Sequence, residues 1–408
     1  MLGCAALPPK PALAPATPPL AAPPAVSVTR YTALVRLDPN EVPLFEDDLD
    51  TTSLHAAAFQ SLSYYQSLPD NQLFVLGADT YTAQDLSSSM AAVITLLENS
   101  PRRQDWLPIL RNTFAVYQST GIDSEKTVVF SSYYEPTIPA RSAPDRIYKY
   151  PLYARPPDLV DVDLSLFDPA YQGAHITGRY EGRRIEPYPT RADIDSRKIL
   201  AQKGLEIAWA KDPLDILDLQ IEGSGWLDFG KGHLQRVRYD GDNGRRYKSV
   251  GQYLIATGRI PAKKFSRKAY LKYLTRHPEE RQELLNVNER YIFFRIDEST
   301  TSPYAYGNID VPLTPWRSIA TDPKLFPKGA LAWINVVSGS ESRVSGSTRN
   351  SKRETRNVIG RFMLNQDEGG AIQGPGRVDI FVGHGKKSKL FATHMWNKGK
   401  LYFLVKRK

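Results

Sequence analysis

The chain has 408 residues, of which 41% are hydrophobic and 24% are charged, a composition typical of globular proteins with a buried core. At roughly 100–200 residues per domain, the length allows two domains, or one large domain with an insertion. The formal net charge of +9 suggests anionic partners, such as acidic polysaccharide or a membrane surface, or only a solvated basic surface. No run of about 18 apolar residues occurs, so no membrane-spanning helix is predicted.

The N-terminal segment contains the only cysteine, Cys4, which excludes a disulfide framework. The sequence MLGC resembles the end of a bacterial lipoprotein signal, in which the cysteine carries the lipid, but no basic and hydrophobic segments precede it. The motif is therefore either the remainder of a longer precursor or a chance match. Residues 5–26 are rich in alanine and proline and cannot build a helix or a packed core, so we interpret residues 1–30 as an extended tether.

The elements predicted along the chain begin with helices and continue mainly with strands. Hydrophobic residues recur at helical spacing over 51–68 and 82–98, and a third helix is predicted over 105–119. Thr82 with Asp85 suits the start of the second helix. From about residue 127, runs of β-branched or aromatic residues predict strands, namely TVVFSSYYEP, RYIFFRI, ALAWINVV, RVDIFVG and LYFLVK. After a helical pattern over 263–290 is included, this order predicts a β-rich α+β fold and favours barrels over open sheets.

Several kinds of site are not predicted. The six histidines, at positions 55, 175, 233, 277, 384 and 394, have no metal-ligand spacing, and the single cysteine adds no cluster. No GxSxG motif occurs, and the glycine-rich EGSGWLDFGKG lacks the Lys-Ser/Thr pair and the helix of a phosphate-binding loop. Residues 338–357 are polar and serine-rich, and we interpret them as a long mobile loop or a solvated hairpin.

The remaining candidates are carboxylates, aromatic rings and small polar groups, the set that carbohydrate sites use for proton transfer, stacking and hydroxyl binding. Each of three clusters also has a structural interpretation: core tyrosines, a tight turn with a core tryptophan, or aspartates that cap turns. The clusters are SSYYEP, with Tyr133, Tyr134 and Glu135; IEGSGW, with Glu222, Gly223, Ser224, Gly225 and Trp226; and QDEGGAIQGPGRVDIF, with Asp367, Glu368 and Asp379.

Asp379 is the candidate proton donor, because it lies in an apolar run between Val378 and Ile380. If this run is a buried strand, desolvation raises the pKa of Asp379, and like-charge repulsion from Asp367 raises it further. A carboxyl group that is still protonated near neutral pH is what general acid catalysis on a glycosidic oxygen requires. Glu368 is expected to be exposed.

Eight motifs in this order resemble the bacterial membrane-bound lytic murein transglycosylase A family, over roughly residues 70–408: YYEP, YKYPLYARPPDL, YPTRADID, LDLQIEGSGWLDF, YDGDNGRRYKSVGQYLIATGRI, RYIFF, VPLTPWRSIATD and QDEGGAIQGPGRVDIFVGHG. The resemblance implies a double-psi β-barrel main domain over 31–137 and 312–408, which includes the helical layer. It also implies a second, smaller β-barrel for substrate binding, inserted at 138–311, with a groove between the two. The three aspartates of the family signature fall on Asp322, Asp367 and Asp379.

The resemblance further implies non-hydrolytic cleavage of the β-1,4 bond between N-acetylmuramic acid and N-acetylglucosamine in peptidoglycan, which leaves 1,6-anhydromuramic ends. Asp379 would act as the acid and then as the base, and Asp367 is a candidate for stabilising the developing positive charge. Asp322 is assigned to barrel structure or to positioning of the site, and the YYEP and EGSG clusters to the groove. Two departures are Glu222, where the family usually has glutamine, and loop 338–357. From the first we expect altered affinity and retained activity.

Two alternatives stay open. A hydrolytic muramidase needs a second carboxylate across the sugar, which Asp367 or Glu135 could supply. A non-catalytic envelope protein would bind peptidoglycan through the same groove. No cofactor, metal or nucleic-acid partner is predicted. The expected protein is a monomer of the periplasm or cell envelope that binds glycan strands, with an outer-membrane lipid anchor if Cys4 is modified.

Overall fold

The computed structural model describes residues 28–99, 103–171, 174–298, 304–337 and 358–408. Cys4, the tract that precedes residue 28 and the loop 338–357 lie outside the described residues, so the interpretations of these segments stay predictions. Residues 28–30, which the sequence analysis included in the tether, belong instead to the first strand. Within these ranges, no helix combines the length and the hydropathy needed to cross a membrane.

The helices of the N-terminal half largely agree with the sequence patterns. In the described ranges the α-helices are α1 Thr51–Gln66, α2 Ala83–Asn99, α3 Arg103–Thr113, α4 Pro213–Glu222, α5 Val250–Ala256, α6 Arg267–Arg276, α7 Arg281–Asn286 and α8 Gly385–His394. The predicted start of α2 is confirmed, because Thr82 and Asp85 exchange capping hydrogen bonds of 2.8 and 3.1 Å.

Two helix predictions were wrong in extent. The third helix ends at Thr113, because the next residues, FAVYQS, are largely buried and enter a strand. The helix predicted over 263–290 is divided into a 3-10 turn at Ala262–Lys264, then α6 and α7. Pro278 lies between α6 and α7, and proline can neither donate a helical hydrogen bond nor allow the preceding residue to remain helical.

The strands outnumber the helices. They are β1 Val28–Tyr31, β2 Leu34–Arg36, β3 Leu73–Leu76, β4 Asp79–Thr82, β5 Phe114–Ser119, β6 Val128–Glu135, β7 Thr137–Arg141, β8 Tyr150–Tyr153, β9 Leu159–Asp163, β10 His175–Glu181, β11 Arg184–Pro187, β12 Glu206–Ala210, β13 Ser224–Asp228, β14 Leu234–Asp242, β15 Ile292–Ile296, β16 Ser318–Ala320, β17 Leu331–Val337, β18 Val358–Asp367, β19 Arg377–His384 and β20 Asn397–Lys406. All five runs predicted as strands are therefore confirmed. The sequence analysis missed the small sheet of β1, β3 and β4 beside the first helices.

The largest sheet has eight strands in the order β17-β18-β16-β19-β6-β20-β5-β2. Strand β17 also pairs with β20, so six of these strands pair in a closed circuit. Their apolar side chains, with the buried faces of α1 and α2, form the main hydrophobic core, which includes Phe130, Trp333 and Phe403. The predicted β-rich class with helices is confirmed, and the double-psi connectivity stays a prediction.

A second sheet of six strands has the order β15-β14-β13-β7-β12-β8 and its own core, built on Ile138, Leu219 and Phe294. Only Pro136 separates β6 of the large sheet from β7 of the second sheet. A third sheet, β11-β10-β9, belongs to the same part of the chain. The short connection at Pro136 brings the end of β6 close to the start of β13, and the candidate site lies at this junction.

Candidate active site

Asp379 lies on β19, between β6 and β16, opposite Ser131 of β6 and Ala320 of β16. The Ser131 hydroxyl donates a hydrogen bond of 2.5 Å to the Asp379 carboxyl group. Burial raises the pKa of Asp379, while the Ser131 hydrogen bond and the positive charge of Arg377 oppose that rise. Asp379 therefore keeps its proton to a higher pH than an exposed aspartate, as a general acid must.

The carboxyl group that interacts electrostatically with Asp379 is that of Glu222. The repulsion predicted from the sequence involves Asp367 instead. Glu222 is the last residue of α4, which ends at Gly223 in the left-handed conformation, with a φ of 78°. Its Oε2 accepts a hydrogen bond of 3.3 Å from the backbone N–H of Tyr134. Burial, and then the charge of Asp379, raise the pKa of Glu222 well above its usual value.

Asp367 ends β18 and is held by three donors. Its carboxyl group accepts hydrogen bonds of 2.7 Å from the Tyr133 hydroxyl, 3.0 Å from the Asn308 N–H and 2.9 Å from the Glu368 N–H. Burial raises the pKa of Asp367 to about 6, although these hydrogen bonds lower it. Glu368 is exposed, as predicted, and lies 3.2 Å from the Lys328 ammonium group.

The third signature aspartate, Asp322, serves a turn. Its carboxyl oxygens accept hydrogen bonds of 3.0 Å from the Lys324 N–H and 2.9 Å from the Gly374 N–H. Gly374 has a φ of +85°, which a residue with a Cβ rarely adopts. Asp322 thus connects the loop after β16 to the glycine-rich loop that leads into β19, a geometry that suits a role in positioning.

Glu135, of the YYEP cluster, is deeply buried, with 1% of its surface exposed. It lies 3.2 Å from Nε of Arg236 and accepts a hydrogen bond of 3.1 Å from the Ala305 N–H. Burial raises the pKa of Glu135 to about 7, and the charge of Arg236 opposes the rise. Arg236 also lies 3.9 Å from Asp297, so the three residues form a buried charged cluster.

Two cavities, of about 350 and 330 Å³, lie next to one another at the junction of the sheets. Both are lined by Ile221, Glu222, Tyr247 and Asn288, so Glu222 stands between them. The first cavity is also lined by several predicted site residues, namely Tyr133, Gly223, Ser224 and Asp367. The second is lined by Tyr134 and by further aromatic and basic side chains, namely Phe265, Tyr270, Lys248, Arg267 and Lys389.

The remaining predicted residues line neither cavity: Glu135, Gly225, Trp226, Asp322 and Asp379. Gly225 instead allows α4 to pack closely, because a Cβ there would lie 2.4 Å from Leu219 Cδ1 and 2.6 Å from the Pro136 carbonyl oxygen. The Arg236 guanidinium lies 4.4 Å from the centre of the Trp226 ring. One face of this ring therefore packs on arginine, where the sequence analysis had considered stacking on a sugar.

Ser131 and Arg377 were not predicted from the sequence. Ser131 contacts Asp379, and Arg377 contacts Ser131. The signal for Ser131 was a pair of serines within an apolar strand, where hydroxyl groups need partners. Arg377 is two residues before Asp379, so both side chains lie on the same face of β19. In the described part of the chain, one cluster has metal-ligand spacing, formed by His277, Glu279 and Glu280. None of its residues lines either cavity.

Comparison with known proteins gives two family matches along this chain. The MltA specific insert domain matches residues 129–295, and the 3D domain matches residues 317–405. The chain is 28% identical over 291 residues to the membrane-bound lytic murein transglycosylase A of Vibrio cholerae, across 70% of this chain and 68% of the relative. It is 29% identical over 276 residues to the Escherichia coli protein of the same name, across 67% of this chain and 64% of the relative.

Solved structures are similar over almost the whole chain. A membrane-bound lytic murein transglycosylase from Agrobacterium tumefaciens matches with a TM-score of 0.74 and 26% identity, over 92% of this chain and 98% of that one. Escherichia coli MltA with bound chitohexaose matches with a TM-score of 0.65 and 22% identity, over 94% and 97%. The second likeness concerns the fold alone.

Proposed function

The chain belongs to the MltA family, and we propose that it is a lytic transglycosylase that cleaves peptidoglycan in the cell envelope. The observation that carries the proposal is the environment of Asp379, a strand carboxyl group with a raised pKa. It interacts electrostatically with Glu222, which lines both adjoining cavities. The names of its relatives in Vibrio cholerae and Escherichia coli support the same reaction and substrate.

In the proposed reaction, Asp379 gives its proton to the glycosidic oxygen while the bond to C1 of N-acetylmuramic acid breaks. The resulting carboxylate then takes the proton of the C6 hydroxyl group on the same sugar, and that oxygen attacks C1. The ring closes as a 1,6-anhydro sugar, and Asp379 regains its proton. Because the nucleophile is the C6 hydroxyl group of the same sugar, it is already close to C1, and the reaction needs no activated water.

The adjoining cavities are the proposed groove for the glycan strand. The first cavity offers an aromatic ring and polar groups, which bind the faces and the hydroxyl groups of sugars. They come from Tyr133, Glu222, Gly223 and Ser224. We assign Tyr134 to the second cavity, Asp367 to stabilisation of positive charge at C1, and Asp322 to positioning. Glu135 and Gly225 do not line the groove but support its structure. Glu135 does so through the charged cluster with Arg236, and Gly225 through the close packing of α4.

The finer organisation is also part of the proposal. We divide the chain into a main domain, 31–137 with 312–408, and an inserted domain, 138–311, which follow the eight-stranded and six-stranded sheets. The protein acts as a monomer. Lipid on Cys4 would anchor the chain, and the tether would let the domains reach the wall from the outer membrane.

Analysis of the products tests the reaction. Purified peptidoglycan is digested with the wild-type chain and with Asp379→Asn, and the muropeptides are identified by mass spectrometry. We expect the wild type to release anhydro-muropeptides, lighter by one water than reducing ends, and the variant to release essentially none. Reducing ends alone would identify a hydrolase. Equal turnover by both chains would remove Asp379 from the mechanism, and binding without products from either would indicate a non-catalytic protein.

A further inference from the structure

Arg377 is connected to Asp379 through a single hydroxyl group. Nη2 of Arg377 donates a hydrogen bond of 2.9 Å to Ser131 Oγ, and Ser131 Oγ donates one of 2.5 Å to Asp379. A serine hydroxyl has one proton to give, so accepting from Arg377 leaves that proton free to point at Asp379. The order of donors fixes the direction of the Ser131 hydroxyl, which holds one oxygen of the Asp379 carboxyl group.

The guanidinium group of Arg377 also packs against an exposed aromatic ring. It lies 4.4 Å from the centre of the Trp396 ring, in a cation–π contact. Trp396 belongs to the segment between α8 and β20, and 68% of its surface is exposed. The ring packs on the guanidinium group and so keeps Arg377 in reach of Ser131.

The guanidinium group of Arg377 is half-buried. In the described ranges, its Nη1 is buried without a hydrogen-bond partner. Burial lowers the pKa of Arg377, and the negative charge of Asp379 opposes that effect. A half-buried guanidinium group with one hydrogen bond is therefore stabilised most when Asp379 is ionised.

Other charged and titratable groups also face Asp379. Glu222 approaches from α4 and Tyr133 lies on β6, and the pKa of each is raised partly by the charge of Asp379. Helix α8 packs against β6 and β19 and carries Lys386, Lys387, Lys389 and His394. Among these groups, Arg377 has the direct hydrogen-bonded path to the acid, through Ser131.

We propose that Arg377 is a positioning residue that acts through Ser131, orienting the Asp379 carboxyl group and stabilising it as a carboxylate between its two proton transfers. The inference rests on the proposed function, because it assumes that Asp379 is the acid and then the base. In the first transfer Asp379 loses its proton to the glycosidic oxygen, and the Ser131 hydrogen bond and the Arg377 charge stabilise the anion. In the second, that oriented anion accepts the C6 proton.

The test compares Arg377→Met, Arg377→Lys and the control Arg197→Met, in the full chain acting on glycan strands. Arg197 is a suitable control because its side chain is 78% exposed and pairs with Asp193. Because Arg377 lowers the pKa of Asp379, its removal should shift the alkaline limb of kcat/KM to higher pH. We expect kcat to fall about 10-fold with KM nearly unchanged, since Arg377 lines neither cavity.

Further variants show whether Arg377 and Trp396 position Asp379 or only stabilise the fold. Arg377→Lys retains the charge, so its alkaline limb should return toward the wild-type pH. Trp396→Ala, which changes no charge, should lower kcat through loss of the ring, while Trp396→Phe should restore most of it. Thermal melting of each variant identifies any loss of folding.

The outcomes also distinguish this inference from the proposed function. If Asp379→Asn is inactive but Arg377→Met keeps the wild-type pH profile and kcat, the role of Arg377 is refuted and the function stands. A rise in KM alone would likewise overturn it in favour of substrate binding. If Asp379→Asn retains full turnover, the proposed function itself fails.

Discussion

Replacement of Glu135 by glutamine should remove a defined part of the pH dependence of stability. Glu135 is buried next to Arg236, and its pKa rises from 4.5 to about 7 on folding. Glutamine has the same shape and can still accept the hydrogen bond from the Ala305 N–H. Arg236 keeps Asp297 close by after the change. The substitution therefore removes the titration of Glu135 with little change in packing.

The size of the effect follows from the pKa values. A carboxyl group whose pKa is higher in the folded state contributes most below the unfolded pKa, and this contribution is lost as pH rises through the folded pKa. The difference between about 7 and 4.5 corresponds to about 3 kcal/mol at about 1.4 kcal/mol per pKa unit. Glu135 should thus lower the free energy of unfolding by up to about 3 kcal/mol between about pH 4.5 and pH 7.

Denaturant unfolding at a pH near 5 and a pH near 8 would measure this effect. The free energy of unfolding of Glu135→Gln, minus that of wild type, should be larger at the higher pH. Glu186→Gln is a suitable control, because the Glu186 side chain is 45% exposed. If the difference between wild type and Glu135→Gln is the same at both pH values, the raised pKa of Glu135 and the argument from its burial are refuted.

Substitutions at two other positions, Glu222 and Gly225, also have expected outcomes. Glu222→Gln should keep the rate of anhydro-muropeptide release within about threefold of wild type, because a protonated carboxyl group and an amide can both donate one hydrogen bond and accept another. Glu222→Ala should lose about 10-fold or more, and equal loss in both variants would contradict this. Gly225→Ala should lower the free energy of unfolding by about 1–3 kcal/mol, because its Cβ would lie 2.4 Å from Leu219 Cδ1; unchanged thermal melting would disprove the close packing.

Much of the strand structure could be read from the sequence because the buried strands are rich in β-branched and aromatic residues. RVDIFVG and LYFLVK are such runs, and both became strands of the large sheet. The segment FAVYQS was included in the helix predicted over 105–119. Its pairing with β20 overrides the local pattern.

The composition of the site was less predictable than its location. The sequence indicated Asp379 through the apolar residues around it, and Asp367 through the glycines after it. It did not indicate that Glu222, and not Asp367, would interact electrostatically with Asp379, because α4 and β19 are far apart in the sequence. The burial of Glu135 depends on Arg236, which lies on β14 and has no sequence motif in common with YYEP.

The strand register explains why an apolar run contains the acid. Ser131 and Asp379 are 248 residues apart in the sequence and meet because β6 and β19 pair in parallel. Slippage by one residue would turn Asp379 to the opposite face of the sheet and break the path from Arg377. Val378 and Ile380, which are 0% and 1% exposed, oppose such slippage by burying the other face. On its own face of β19, burial withdraws water from the Asp379 carboxyl group and so raises its pKa.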